Sequence, residues 1–124
     1  MASLALGQIG QINVPVKDIE RATAFYRDVL GLPFLFEAPN MAFFDCAGVR
    51  LLLEVAQDPA FDHPSSIIYF MVEDIHGRWD ELMACDVEAA AGPALIARMP
   101  DHDLWMAFFR DPEANTLALM EEVR

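Results

Sequence analysis

Two segments of the chain share one pattern of apolar and polar positions. In each, a short apolar stretch is followed by residues whose apolar side chains recur every three or four positions. A short apolar stretch favours a strand, and the three- and four-residue spacing favours a helix. The segments are 11–31 and 67–87, and the sequence Val-x-Asp-Ile at 16–19 returns 56 positions later at 72–75. The pattern predicts an internal repeat of a strand followed by a helix.

Short extended segments follow each predicted helix. They are separated by pairs such as Pro39-Asn40 and Ala47-Gly48, which are typical of turns. Asp18 and Asp74 are placed to cap the two helices at their N-termini. Each copy therefore has the order strand, helix and three strands. The extended segments are 33–38, 41–46 and 49–55 in the first copy and 94–99, 104–111 and 116–121 in the second, where an Ala/Gly/Pro-rich turn precedes 94.

The doubled unit predicts an α+β fold in a single domain, 1–124. Two tandem βαβββ modules, 7–55 and 66–122, are joined by the linker 56–65, which contains prolines and serines without periodicity. We expect each module to form a twisted half-sheet with its helix on the outer face, so that the two form a curved mixed sheet around a groove. Alternate strand residues then line that groove.

Composition and charge narrow the classes of partner. The chain has 124 residues, 55% of them hydrophobic, and a formal charge of −12. An acidic surface repels phosphate backbones and anionic lipids, so neither nucleic acid nor a membrane is an expected partner. No apolar run approaches the roughly 20 residues of a membrane span, and the first residues do not resemble a signal peptide. We therefore expect a cytoplasmic protein whose two cysteines are reduced.

Three segments carry a resemblance to a known family. They are VPVKDIERATAFYRDVLGL, YFMVEDIHGRWDEL and FFRDPEANTLALME, which together span nearly the whole chain. They resemble the vicinal oxygen chelate superfamily, which includes glyoxalase I, bleomycin-resistance proteins and extradiol dioxygenases. The resemblance implies a paired βαβββ fold and commonly a homodimer. In enzymatic members it also implies a divalent metal in the groove, held by the first and last strand of each module.

The four metal positions of the family are only half filled here. The resemblance assigns the first to Gln11 and the second to Glu54, whereas Ile67 and Ala118 occupy the other two and offer no donor. Met120 is the next residue on that face, and its thioether suits soft ions only. A divalent ion needs about three or four protein donors. The expected cofactor is therefore none, or a weakly held divalent metal ion.

Two residues are candidates for acid–base chemistry. Glu54 ends an apolar run, where a buried carboxylate suits general-base catalysis, although a strand-end acid is also often solvated. His102 lies between Asp101 and Asp103, whose charges favour a protonated imidazole; the alternatives are an exposed loop histidine, which the sequence favours over catalysis, and a ligand-binding residue at the groove mouth.

The remaining candidates are residues expected to line the substrate groove. Asn13 and Tyr69 hold equivalent places in the repeat and share strand parity with Gln11 and Ile67. Arg98 could meet an anionic group or pair with a nearby acid. The sequence leaves open which face of 104–109 points inward. The predicted groove residues are Gln11, Asn13, Tyr69, Arg98, Trp105 and Met120.

Two departures from the family pattern concern glycines. The resemblance implies a glycine where the chain has Ala114, and another just after the second helix, where it has Cys85 and Asp86. We expect a different turn geometry or some backbone strain at these positions.

Three functions follow. The first is a glyoxalase/bleomycin-resistance-like protein that binds a small organic ligand in the groove without a complete metal site. The second is a metal-dependent lyase, isomerase or dioxygenase-type enzyme that uses Gln11 and Glu54, or Glu54 as a metal-free base. The third is a non-catalytic dimeric interaction domain. Glyoxalase I activity itself is not expected, because two ligand positions are lost.

Overall fold

The structure is a computed structural model that describes residues 3–124. The chain divides into two compact units between His63 and Pro64. The elements of the first unit are β1 Gln11–Pro15, α1 Ile19–Ala24 with a π-helical extension Phe25–Val29, β2 Phe34–Ala38, β3 Met41–Cys46, β4 Val49–Glu54 and a 3₁₀ turn Pro59–Phe61. Those of the second are β5 Ile68–Met71, α2 Ile75–Ala84, β6 Glu88–Arg98, β7 Asp103–Arg110 and β8 Thr116–Val123.

Each unit contains one four-stranded mixed sheet with a single helix. The strand orders are β1-β4-β3-β2 and β5-β8-β7-β6. The first strand of each unit pairs in parallel with the last, and all other pairs are antiparallel. The two sheets therefore have the same topology, and the predicted α+β fold of two βαβββ modules is confirmed.

The predicted helix caps form. The Asp18 carboxylate accepts a hydrogen bond from the Arg21 amide at 3.1 Å, and the Asp74 carboxylate accepts one from the Gly77 amide at 3.2 Å. A side-chain oxygen at this position satisfies an amide that the first turn leaves unpaired. Neither helix among residues 3–124 has the length and apolar content that a membrane crossing requires.

One predicted boundary is wrong. Strand β6 begins at Glu88, six residues before the expected start at 94, and so includes the Ala/Gly/Pro-rich stretch assigned to a turn. It lies at the edge of its sheet, where a proline that cannot donate to a ladder is tolerated. Its pairing with β7 shifts register around Ala91, and such bulges absorb residues that do not fit a regular ladder.

Candidate functional site

Each sheet has one face against its helix and one free of it. In the first unit, Phe44 packs against Tyr26 of the helical segment at 6.2 Å between ring centroids, which identifies the covered face. In the second unit, the rings of Trp105 and of His76 in α2 are in contact, with 5.0 Å between their centroids. Successive residues of a strand point to opposite faces, so the neighbours of Phe44 and Trp105 belong to the helix-free faces. Those faces are formed by Gln11, Asn13, Met41, Phe43, Arg50, Leu52 and Glu54 in the first sheet and by Tyr69, Met71, Met106, Phe108, Ala118 and Met120 in the second.

On the helix-free face of the first sheet, two predicted site residues meet directly. The Asn13 side-chain Nδ2 donates a hydrogen bond of 2.8 Å to Oε1 of Glu54. Glu54 is half-buried at the end of β4, and Asn13 is exposed on the neighbouring strand β1. The Asn13 amide therefore holds one oxygen of the Glu54 carboxylate. The pair presents a carboxylate that is restrained on the helix-free face.

Gln11 is not brought to Glu54. The parallel register places Gln11 opposite Arg50 and Glu54 opposite Pro15, which separates the two by four residues, or about 13 Å along the strands. Within residues 3–124, no three His, Cys, Asp or Glu side chains are grouped to hold a metal.

Aromatic and cationic groups lie beside the Asn13–Glu54 pair. The rings of Phe36 and Phe43 stack at 4.4 Å, and the Arg50 guanidinium lies 6.0 Å from the Phe43 centroid. Phe36 is 49% exposed. None of these three residues was predicted from the sequence, although Arg50 shares strand parity with Glu54 and could have been found from that alternation.

The helix-free face of the second sheet is mainly apolar. Tyr69 and Phe108 meet edge-to-face at 5.9 Å, and Ala118 is the register partner of both. The small side chain of Ala118 lets the two rings approach, and it is fully buried as a result. Ile67, at the other family metal position without a donor, is 45% exposed.

Trp105 is not on the face that holds Tyr69 and Met120. It lies on the helix side, in contact with His76. Its register partner Glu121 also faces α2, since its carboxylate accepts hydrogen bonds from the Asp74 and Ile75 amides, both at 3.0 Å. No local sequence pattern indicates this contact, because Glu121 is 47 and 46 positions from Asp74 and Ile75.

His102 lies in a charged cluster at the β6–β7 turn. Its side chain is only 14% exposed; Nδ1 lies 2.8 Å from the Asp101 carboxylate and Nε2 lies 3.9 Å from that of Glu122. The hydrogen bond with His102 lowers the pKa of Asp101. Arg98 is 76% exposed and lies 3.6 Å from Asp103, the ion pair that the sequence offered as the alternative to ligand binding.

Known proteins share both the sequence pattern and the fold. The model of the Glyoxalase/Bleomycin resistance protein/Dioxygenase superfamily matches residues 8–119. A superfamily member from Sphaerobacter thermophilus DSM 20745 is 25% identical, with a TM-score of 0.76 over 96% of this chain and 100% of that one.

Two further solved structures share the fold at lower identity. The antibiotic binding protein TnmS3 from Streptomyces sp. CB03234 is 23% identical, with a TM-score of 0.76 over 97% of this chain and 99% of that one. Lactoylglutathione lyase from Agrobacterium tumefaciens is also 23% identical, with a TM-score of 0.71 over 94% of each chain.

Proposed function

We propose that this chain, which belongs to the Glyoxalase/Bleomycin resistance protein/Dioxygenase superfamily, binds a small organic ligand through the helix-free face of its first sheet. The hydrogen bond between Asn13 and Glu54 carries the proposal. It holds a carboxylate in one orientation on a face that α1 does not cover, and a preorganised acceptor loses little freedom when a ligand binds.

The surroundings of Glu54 indicate the chemistry of the ligand. A carboxylate binds most strongly to a charged N–H donor, through a charge-assisted hydrogen bond. The exposed Phe36 ring, stacked on Phe43, offers a flat apolar surface to a planar group. The formal charge of −12 attracts cations over a longer range. We propose a planar or aromatic ligand whose cationic nitrogen binds Glu54, which lies four residues along β4 from Arg50, whose charge has the same sign as that of the ligand.

The comparison with TnmS3 is compatible with the binding of a small organic molecule, since that protein is an antibiotic binding protein. We further propose that the protein is a homodimer. Light scattering tests this proposal, since the measured molar mass should be twice that of one chain.

Benzamidine, a planar cation, is a suitable probe. We expect calorimetry to show binding that Glu54→Gln weakens at least tenfold, because the substitution removes the charge and keeps the shape. Glu20→Gln is the matched control: it removes the same charge from the exposed side of α1 in the same unit and should leave the affinity within about twofold. Equal affinities for the two variants would contradict the role of Glu54.

A second function, catalysis with Glu54 as a metal-free base, is favoured by the same hydrogen bond. A base must be held within reach of the proton it removes, and Asn13 holds Oε1. In D₂O, the protein would then catalyse exchange of the α-protons of a simple ketone such as hydroxyacetone in the presence of a chelator. Exchange that Glu54→Gln abolishes would support this function, and exchange equal to the buffer rate would contradict it for this class of carbon acid.

A further inference from the structure

Three methionines form a row across three neighbouring strands of the second sheet. Met71 of β5 is the register partner of Met120 of β8, and Met120 is the register partner of Met106 of β7. Register partners in adjacent strands point to the same face, and in an antiparallel pair such as Met106 and Met120 their Cβ atoms are about 4.5–5.5 Å apart. The helix side of the same strands holds the buried residues Ala107 and Leu119. The three thioethers therefore lie side by side on the helix-free face.

The row is accessible and is not part of the core. Met71 is 60% exposed, and Met106 and Met120 are half-buried. An unbranched methionine side chain has three rotatable bonds and adapts to irregular surroundings. Neighbouring strands are about 4.8 Å apart, so the outer two side chains can lean toward Met120 and bring three sulfur atoms around one point.

We infer that Met71, Met106 and Met120 form a binding site for a soft monovalent metal ion, Cu(I) or Ag(I). Thioether sulfur prefers soft ions and has little affinity for the hard or borderline divalent ions of oxygen and nitrogen sites. The ligands carry no proton, so binding releases none and does not depend on ligand ionisation.

This site does not depend on the proposed ligand site. Glu54 and Asn13 belong to the first unit, and all three methionines belong to the second. Loss of benzamidine binding would leave the metal site unaffected, and loss of metal binding would leave the proposed function unaffected.

The test is an anaerobic Cu(I) competition against bicinchoninate, with Ag(I) nitrate as a redox-stable second probe in chloride-free buffer. Because thiolates bind both ions tightly, the protein carries Cys46→Ala and Cys85→Ser, and its melting temperature confirms that it is folded. We expect one ion per chain. With methyl-¹³C methionine, three of the seven methionine signals should shift at one equivalent, those of Met71, Met106 and Met120.

Leucine substitutions identify the ligands, because exchange of Met for Leu nearly conserves volume and preserves the fold. Met120→Leu should weaken binding at least a hundredfold, and Met71→Leu or Met106→Leu at least tenfold. Met99→Leu is the control, since Met99 is 47% exposed but lies after β6, outside the row. Affinity unchanged by Met120→Leu, shifts confined to other methyl groups, or no binding by the folded protein would each overturn the inference.

Discussion

Asn13 donates a 2.8 Å hydrogen bond to Glu54 across the parallel strands β1 and β4. Glu54 follows two residues after Leu52, the register partner of Asn13, so the bond is diagonal along one face. It joins the first strand of the module to the last, and it is the polar contact on which the proposed ligand site depends.

The hydrogen bond should also contribute to stability. A hydrogen bond to a charged group is worth about 1.5–3 kcal/mol, and the exposure of Asn13 to water places this one at or below the lower end of that range. We expect Asn13→Ala to lower the free energy of unfolding by about 1 kcal/mol. Urea denaturation of Asn13→Ala, Glu54→Gln and the double variant measures the coupling. Strictly additive effects would show that the two side chains do not interact in solution.

The contact of Glu121 with α2 should contribute more to the stability of the fold than the Asn13–Glu54 hydrogen bond does. Its carboxylate accepts from the Asp74 and Ile75 amides at the positive end of the helix. Hydrogen bonding and the helix dipole both favour a negative charge there, so Glu121→Ala should cost about 1–2 kcal/mol. Urea denaturation measures it, with Glu122→Ala as the control from the opposite face of β8. Equal losses for the two variants would contradict the assignment.

Replacing Ala114 with glycine should stabilise the folded protein. Its φ of 64° lies in the left-handed region, which costs a non-glycine residue about 1–2 kcal/mol. Glycine removes this strain, but its greater conformational freedom in the unfolded chain offsets part of the gain. Ala114→Gly should therefore raise the free energy of unfolding by about 0.5–1 kcal/mol. Ala94→Gly, in the extended strand β6, should destabilise by about as much. A melting temperature that falls for Ala114→Gly would contradict the strain argument.

The Asp101–His102 contact predicts a pH dependence. The hydrogen bond lowers the pKa of Asp101 below its usual 3.8. A depressed folded-state pKa gives stability that is present above 3.8 and lost as the pH falls through the folded value. Asp101→Asn should therefore destabilise at pH 7, and the difference from wild type should shrink toward pH 2.5. Asp80→Asn is the control, because Asp80 lies on the exposed side of α2. A difference that stays constant with pH would contradict the assignment.

The sequence predicted the fold because the fold depends on periodicity and on local signals. The repeat of 16–19 at 72–75 placed both helices, and Asp18 and Asp74 were found as caps because capping acts within one turn. The same reasoning failed at β6, because tolerance for its Pro93 depends on the strand being at an edge, which is a tertiary property.

The site was less accessible to sequence reasoning, because it depends on register. Gln11 and Glu54 were each placed at family positions, but only the pairing of β1 with β4 shows that Glu54 is nearer to Asn13 than to Gln11. The row formed by Met71, Met106 and Met120 likewise requires two strand pairings, one parallel and one antiparallel, that alternation alone does not specify.

The most direct test of the central proposal is an NMR titration of ¹⁵N-labelled protein with benzamidine in excess chelator, following the side-chain amide of Asn13. We predict saturable shifts of the Asn13 Nδ2 signals that the chelator does not change and that Glu54→Gln abolishes. Binding that moves other signals but leaves those of Asn13 in place, or that requires an added divalent ion, would contradict the account.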